Sequence, residues 1–177
     1  MNIQALGTLD FEAVRALTLI SFYKHRTPKK RMLWSCILFG LLIALIIVEM
    51  FLFGFNSTLL ILLCLTLLML GLRFFLYFVL PKKQYEAMGN MQNAVNHYVF
   101  DDETITVKTV TDQYNGEAII NYSALVKAYE TQKYIFFYQI DNSAYVVDKS
   151  SVSGGSADEL KAKLVSFIGD KYCICKY

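Results

Sequence analysis

An α-helical membrane hairpin joined to an α+β domain is the fold class this sequence predicts, and three observations predict it. Apolar residues make up 55% of the 177, above the roughly 45–50% usual in globular domains, and the excess is confined to residues 32–80. That block breaks at Gly54-Phe55-Asn56-Ser57 into two runs, 32–53 and 58–80. From residue 82 onward the texture changes to short alternating segments rich in Val, Ile, Thr, Tyr and Phe, closed by one amphipathic helical pattern. The chain therefore divides into a basic N-terminal segment (1–31), a two-helix hairpin (32–80) and a domain (82–177).

Each apolar run carries one charge, Glu49 in the first and Arg73 in the second. At about 1.5 Å per residue each covers the ~30 Å hydrocarbon core. Pro81 marks the expected stop of the second. Five basic residues, Lys24, Arg26, Lys29, Lys30 and Arg31, precede the first run, Lys82 and Lys83 follow the second, and the connecting turn has none. Lys and Arg are retained on the cytoplasmic side, so both termini are expected there, in a multi-pass protein of the cell inner (plasma) membrane. The first run follows a polar, amphipathic stretch of about 30 residues and is read as an anchor rather than a cleaved leader. Arg26, Lys29, Lys30, Arg31, Lys82 and Lys83 form the expected collar of lipid head-group contacts.

Ionisable residues within a span are functional candidates. Counted from the inner boundary, Glu49 and Arg73 differ in depth by roughly 13 Å, too far for a direct bridge. The structural alternative is snorkelling towards opposite interfaces. Gly40 and Ala44 give one small-x3-small pair for helix contact, and Trp34, Phe74, Phe75, Tyr77 and Phe78 suit an inner aromatic belt. Asn56-Ser57-Thr58 matches a glycosylation acceptor but sits in a turn too tight and too near the bilayer to serve as one.

Ahead of the hairpin, Phe11, Val14, Leu17, Thr18 and Phe22 recur at helical spacing after Asp10, which predicts a helix over about 9–24. Its apolar face has two candidate partners, anionic lipid or the domain. In the domain, strands are expected near 95–100, 104–110, 118–122, 125–130, 134–140 and 144–148, separated by Asp101-Asp102, Asn115-Gly116, Thr131-Gln132 and Asp141-Asn142-Ser143. Strands in succession without helices imply an antiparallel meander, and the alternation in 104–110 implies a sheet with one wet face. Ser156-Ala-Asp-Glu159 is a capping box, after which Ala157, Leu160, Leu164, Phe167 and Ile168 share one helical face, with Gly169 as terminator. Residues 82–93 read as a short helix, about 18 Å if fully helical, which holds the domain near the lipid.

Several functional classes lack their residues. The net charge of +2 and the lack of an aromatic-interleaved basic stripe exclude a nucleic-acid partner. Cys36 and Cys64 lie in the apolar runs, and Cys173-Ile174-Cys175 alone makes a weak soft-metal motif, so the thiols are expected reduced and no cofactor is called for. His97 with Asp101 or Asp102 is the best acid–base pair available, against the reading of an exposed strand-end histidine beside a turn. Asp101-Asp102-Glu103 lacks the ligand spacing of a calcium loop.

The order of a basic N-terminal helix, a hairpin, then Pro81-Lys-Lys-Gln-Tyr85, Tyr98-Val-Phe-Asp-Asp102, Ile120-Asn-Tyr122, Tyr134-Ile-Phe-Phe-Tyr138 and Tyr145-Val-Val-Asp-Lys149 resembles the YcxB-like family of small bacterial membrane proteins. The resemblance implies a pleckstrin-homology-like (PH-like) domain, a bent antiparallel sheet or partial barrel plugged by its C-terminal helix, and no established activity. Asp148 departs from the family, which carries proline near that strand end. The expected function is a non-enzymatic interaction or scaffold module tethered at the inner leaflet, with membrane lipid and either a protein partner or a second copy as partners. The alternatives are an oligomeric channel or transporter component using Glu49 and Arg73, and a small membrane enzyme using His97.

Overall fold

The computed structural model describes residues 3–23, 28–111, 115–140 and 143–175, and it opens on a strand absent from the sequence reading. β1 (Ile3–Thr8) runs antiparallel to β2 (Val95–Phe100), with Ile3 opposite Phe100 and Thr8 opposite Val95. Ile3, Ala5 and Gly7 face inward while Gln4 and Leu6 face out. The alternation is present in the sequence, but the exposed Leu6 blurs it.

Between β1 and β2 the chain makes one long helical excursion. α1 (Phe11–Tyr23) starts at Asp10, whose Oδ1 accepts the Ala13 amide at 2.7 Å. α2 (Pro28–Phe53) and α3 (Ser57–Phe74) are the two long apolar helices. Asn56 caps α3 by accepting the Thr58 amide at 3.0 Å, which gives this residue a local structural purpose. The expected stop at Pro81 does not occur. Proline lacks an N–H and its ring collides with the carbonyl four residues back. Here Phe75–Val79 form a π-helical turn, and the Leu80 N–H reaches the Phe75 carbonyl five residues back. The wider turn carries the helix past the proline into α4 (Leu80–Ala87), so one helix runs from Ser57 to Ala87. The excursion is then closed on itself: Leu9 N–H donates to the Ala94 carbonyl and Asn93 N–H to the Leu9 carbonyl, both at 3.0 Å.

β3 (Thr104–Val110) and β4 (Asn115–Asn121) complete a four-stranded antiparallel sheet in the order β1-β2-β3-β4. β5 (Lys127–Glu130), β6 (Tyr134–Ile140), β7 (Ser143–Asp148) and β8 (Tyr172–Ile174) form the second, in the order β7-β6-β5-β8. The strands expected in one meander divide between the two sheets after β4, and Asn115-Gly116, read as a turn, instead opens β4 opposite Val110 and Thr109. The short β8 is an addition, and it pairs parallel with β5. Asp148 accepts the Ser150 amide at 2.9 Å and so turns the chain after β7.

The sheets adjoin where β1 meets β7 and the segment after it. Gln4 and Ser153 exchange backbone hydrogen bonds at 2.8 Å each, and the Ser151 hydroxyl bonds the Leu6 amide and carbonyl. α5 (Ala157–Ile168) begins with the expected capping box and buries Leu160, Leu164 and Ile168 among Phe100, Ile105, Ile120 and Phe137. Phe167 stays half exposed and stacks on Tyr122 with ring centroids 4.4 Å apart. The first sheet keeps its wet outer face, but the second does not. α1 lies across its back, packing Ala13 and Ile20 against Tyr129, Tyr134, Phe136, Tyr138 and Val146. That double cover explains why Tyr134-Ile-Phe-Phe-Tyr138 is buried throughout without polar alternation. Of the two partners open to α1, its apolar face takes the domain.

Gly7 marks the tightest approach at the β1–β7 corner, since a Cβ there would lie 1.7 Å from the Val146 carbonyl oxygen. Gly7→Ala must push β1 off β7. The expected loss is about 1–3 kcal/mol, read as a lowered midpoint of thermal unfolding of the purified chain in detergent. An unchanged midpoint would show that the corner yields freely.

Candidate membrane interface

α2 and α3 lie against each other, burying Ile46 and Thr66 in their seam, while most of their remaining surface is apolar and exposed. Glu49 stands about 4 residues, or roughly 6 Å, from the end of α2, whereas Arg73 stands about 16 residues, or roughly 24 Å, beyond the start of α3. The two charges are thus at opposite ends of the pair, and no ion pair joins them. Arg73 turns inward across the pair. Its Nη1 donates to Ser35 Oγ at 2.7 Å and its guanidinium lies 6.0 Å from the Phe39 ring centroid. A Cβ at Gly40 would meet nothing within 4 Å, so the Gly40–Ala44 pair is not what brings α2 and α3 together.

Where the helix leaves the apolar zone, α1 grips it. Arg15 lies over the buried Tyr77 ring at 5.0 Å, the Thr18 hydroxyl donates to Gln84 Oε1, and Phe11 meets Tyr85 edge-on at 5.8 Å. α1 is fixed in turn to the second sheet by an ion pair of Glu12 with Lys133 at 2.8 Å. That contact holds the Glu12 carboxyl below its usual range, chiefly through the Lys133 hydrogen bond.

The collar residues fare unequally. Lys82 pairs loosely with Glu86 at 3.8 Å, and Lys83 lies 5.9 Å from the Phe75 ring centroid. Lys29, Lys30 and Arg31 occupy the first turn of α2, while Arg26 lies outside the described residues. Ser35, Arg15 and Gln84 are contacts that the sequence reading missed. A lone serine in an apolar run is the signal for the first, and the other two depend on how α1 packs.

The remaining clusters divide into one cavity and one ionic network. His97 points to the outer face of the first sheet, and a cavity of about 520 Å³ beside it is lined by Asn90, Gln92, Asn93, Ala94, Val95, Val110 and Thr111. No carboxylate is among these described residues. Asp101 is four residues further along, about 13 Å in an extended strand. Asp102 instead lies 3.6 Å from Lys163, and the Asp101 carbonyl accepts the Tyr122 hydroxyl at 3.1 Å. Among the described residues no group of three or more His, Cys, Asp or Glu side chains is placed to hold a metal.

Glu130 is the centre of the ionic network. It takes Lys149 on one oxygen at 2.6 Å and Lys161 on the other at 2.9 Å, with the Tyr172 hydroxyl at 3.1 Å. The network ties β5 to α5, β8 and the turn after β7. Burial raises the Glu130 carboxyl, but the two lysines outweigh it and the net displacement is downward. Burial also pushes Tyr172 well up and Tyr138 up to about 12.

Residues 100–164 match the family model described as YcxB-like protein, the family that the sequence resembles. The matched stretch runs from the end of β2 to the middle of α5, within the two-sheet domain. No curated protein and no solved structure matches the chain.

A depressed folded-state carboxyl contributes stability that is present above its unfolded pKa, near 4.5, and is lost as pH falls through the lower folded value. Glu130→Gln is expected to cost on the order of 2 kcal/mol at neutral pH. As pH falls below 4.5 the gap between variant and parent should narrow, as the parent's advantage titrates away. Thermal unfolding followed by circular dichroism from pH 3 to 7 checks this, and a gap of constant size would remove Glu130 from the acid response.

Proposed function

We propose that the chain is a two-span protein of the cell inner membrane that holds a PH-like interaction or scaffold domain at a fixed height over the inner leaflet. The observation that carries this reading is the double clamp: both ends of the helical excursion are hydrogen-bonded to each other beside the sheet, and α1 packs at once on the exiting helix and on the second sheet. A domain attached through one flexible linker would rotate freely, whereas two anchored arms fix its orientation. An even number of spans returns the chain to its starting side. The β1–β2 ladder requires that return, because strands on opposite faces of a bilayer cannot pair. The clustering of cations at the two ends distant from the connecting turn supports placing that side in the cytoplasm.

Two sheets adjoining at β1 and β7, with α5 filling the opposite opening, support the PH-like reading. On that reading the membrane helices are an insertion in the connection between the first two strands. β4 supports a protein partner: among the described residues it pairs only with β3, presents seven residues at a sheet edge and leaves Ile119 69% exposed. Neither proline nor lysine protects that edge. The channel reading gains nothing from Glu49 and Arg73 at opposite ends of the pair, nor the enzyme reading from an amide-lined cavity at His97.

Labelling of single cysteines in an otherwise cysteine-free chain tests the arrangement. Gln4→Cys and Glu117→Cys are expected to react only from the cytoplasmic side and Phe55→Cys only from the other. Reaction of all three from one side would overturn the two-span reading. For the scaffold role, a photoreactive residue at Ile119 in native membranes is expected to give one discrete protein adduct, with none from the buried Ile120. No adduct at Ile119 would remove β4 as a partner surface.

The collar is tested apart from both. In vesicles containing anionic lipid, neutralising Lys82 and Lys83 together is expected to raise proteolysis within residues 82–93, since each cation contributes about 1 kcal/mol at an anionic surface. In neutral vesicles the variant should match the parent. Equal cleavage in both lipids would leave these lysines with no role beyond orientation.

A further inference from the structure

At the inner end of the helix pair a cavity of about 370 Å³ opens between α2 and α3, lined by Ser35, Cys36, Leu67, Leu70, Gly71, Arg73 and Phe74. Its walls are almost wholly apolar, and its polar end is a cation hydrogen-bonded to a hydroxyl. Arg73 makes that hydrogen bond and the contact with Phe39, and it ion-pairs with no carboxylate among the described residues. A guanidinium presents five donors in a planar fork suited to phosphate, and one bond to serine leaves most of them unused. Inside a bilayer those donors have no water to turn to.

We infer that this cavity is a binding site for one anionic phospholipid, its phosphate held by Arg73, which Ser35 positions, and its acyl chain laid along Leu67, Leu70, Gly71 and Phe74. The inference rests on the two-span reading above. Depth agrees with it: Arg73 lies about 24 Å from the connecting turn, near the inner edge of a ~30 Å core, where a guanidinium reaches the phosphate level and an acyl chain runs back towards the midplane. Charge agrees too, since a neutral zwitterionic head group would bring its own cation against the guanidinium. Gly71 contributes room: a Cβ built there meets nothing within 4 Å, so the groove is open along that side.

The chain supplies its own reporter, because Trp34 is the single tryptophan, adjoins Ser35 and is 70% exposed. The full-length protein is placed in phosphatidylcholine vesicles and titrated with phosphatidylglycerol or phosphatidylcholine carrying brominated acyl chains, which quench tryptophan on contact. Brominated phosphatidylglycerol is expected to reach half-quenching at a mole fraction roughly fivefold lower than brominated phosphatidylcholine. Arg73→Gln should abolish that preference. Gly71→Leu, which fills the groove and keeps the charge, should reduce it, while Lys82→Gln with Lys83→Gln should leave most of it. Equal quenching by the two lipids in the parent overturns the proposal, as does a preference that survives Arg73→Gln but disappears with the two lysines. Quenching by neither lipid overturns the two-span reading itself, so the two failures are told apart.

Discussion

Everything in this molecule depends on β1 pairing with β2. The ladder joins residues 3–8 to residues 95–100, and through it a helical excursion becomes a loop with both ends pinned. Without the ladder, α1 would be a tail and the domain would hang from α4 alone. With it, α1 is held between sheet and exiting helix, and the exiting helix cannot change its angle without disturbing Tyr134, Phe136 and Tyr138 beneath α1. The Arg73–Ser35 contact therefore sits within a few turns of a braced joint.

How much of this was legible in the sequence follows from the range of each signal. The six internal strands of the two meanders were visible because turn residues and β-branched runs act locally, and 95–100, 104–110 and 134–140 fall where the alternation puts them. The α5 capping box was legible for the same reason. β1 and β8 were not, because short strands gain their stability from distant neighbours: Ile3 and Ala5 make sense only against Tyr98 and Phe137, and Tyr172 only beside Glu130. Pro81 misled because its effect depends on the turn before it, and nothing in Phe-Leu-Tyr-Phe-Val announces a π-helical turn. For the candidate site, Arg73 was conspicuous as a charge in an apolar run, but its partner Ser35 is set by the register of two helices.

The two sheets also divide the labour. The first is thin and keeps one face to water, so its β4 edge is open to another strand. The second is covered on both faces and holds the Glu130 network, which fastens α5 and β8 to β5. Packing that resists deformation is thus concentrated where α1 passes load from the helices, and the accommodating edge is placed away from it.

Pinning both ends of an excursion has a temporal side. β1 is made first, yet its partner is the strand that follows α2, α3 and α4 in the chain. At about 5–20 residues per second, β1 waits several seconds, with its hydrogen-bonding groups unpaired, while both apolar helices emerge and are placed. The corner it forms with Val146 and Ser153 comes later still. On the two-span reading proposed above, the sheets can close only after the helices have returned the chain to the side it left, and a molecule inserted with one span misplaced never completes its domain. On that reading, completion of the two-sheet domain reports on the correctness of insertion.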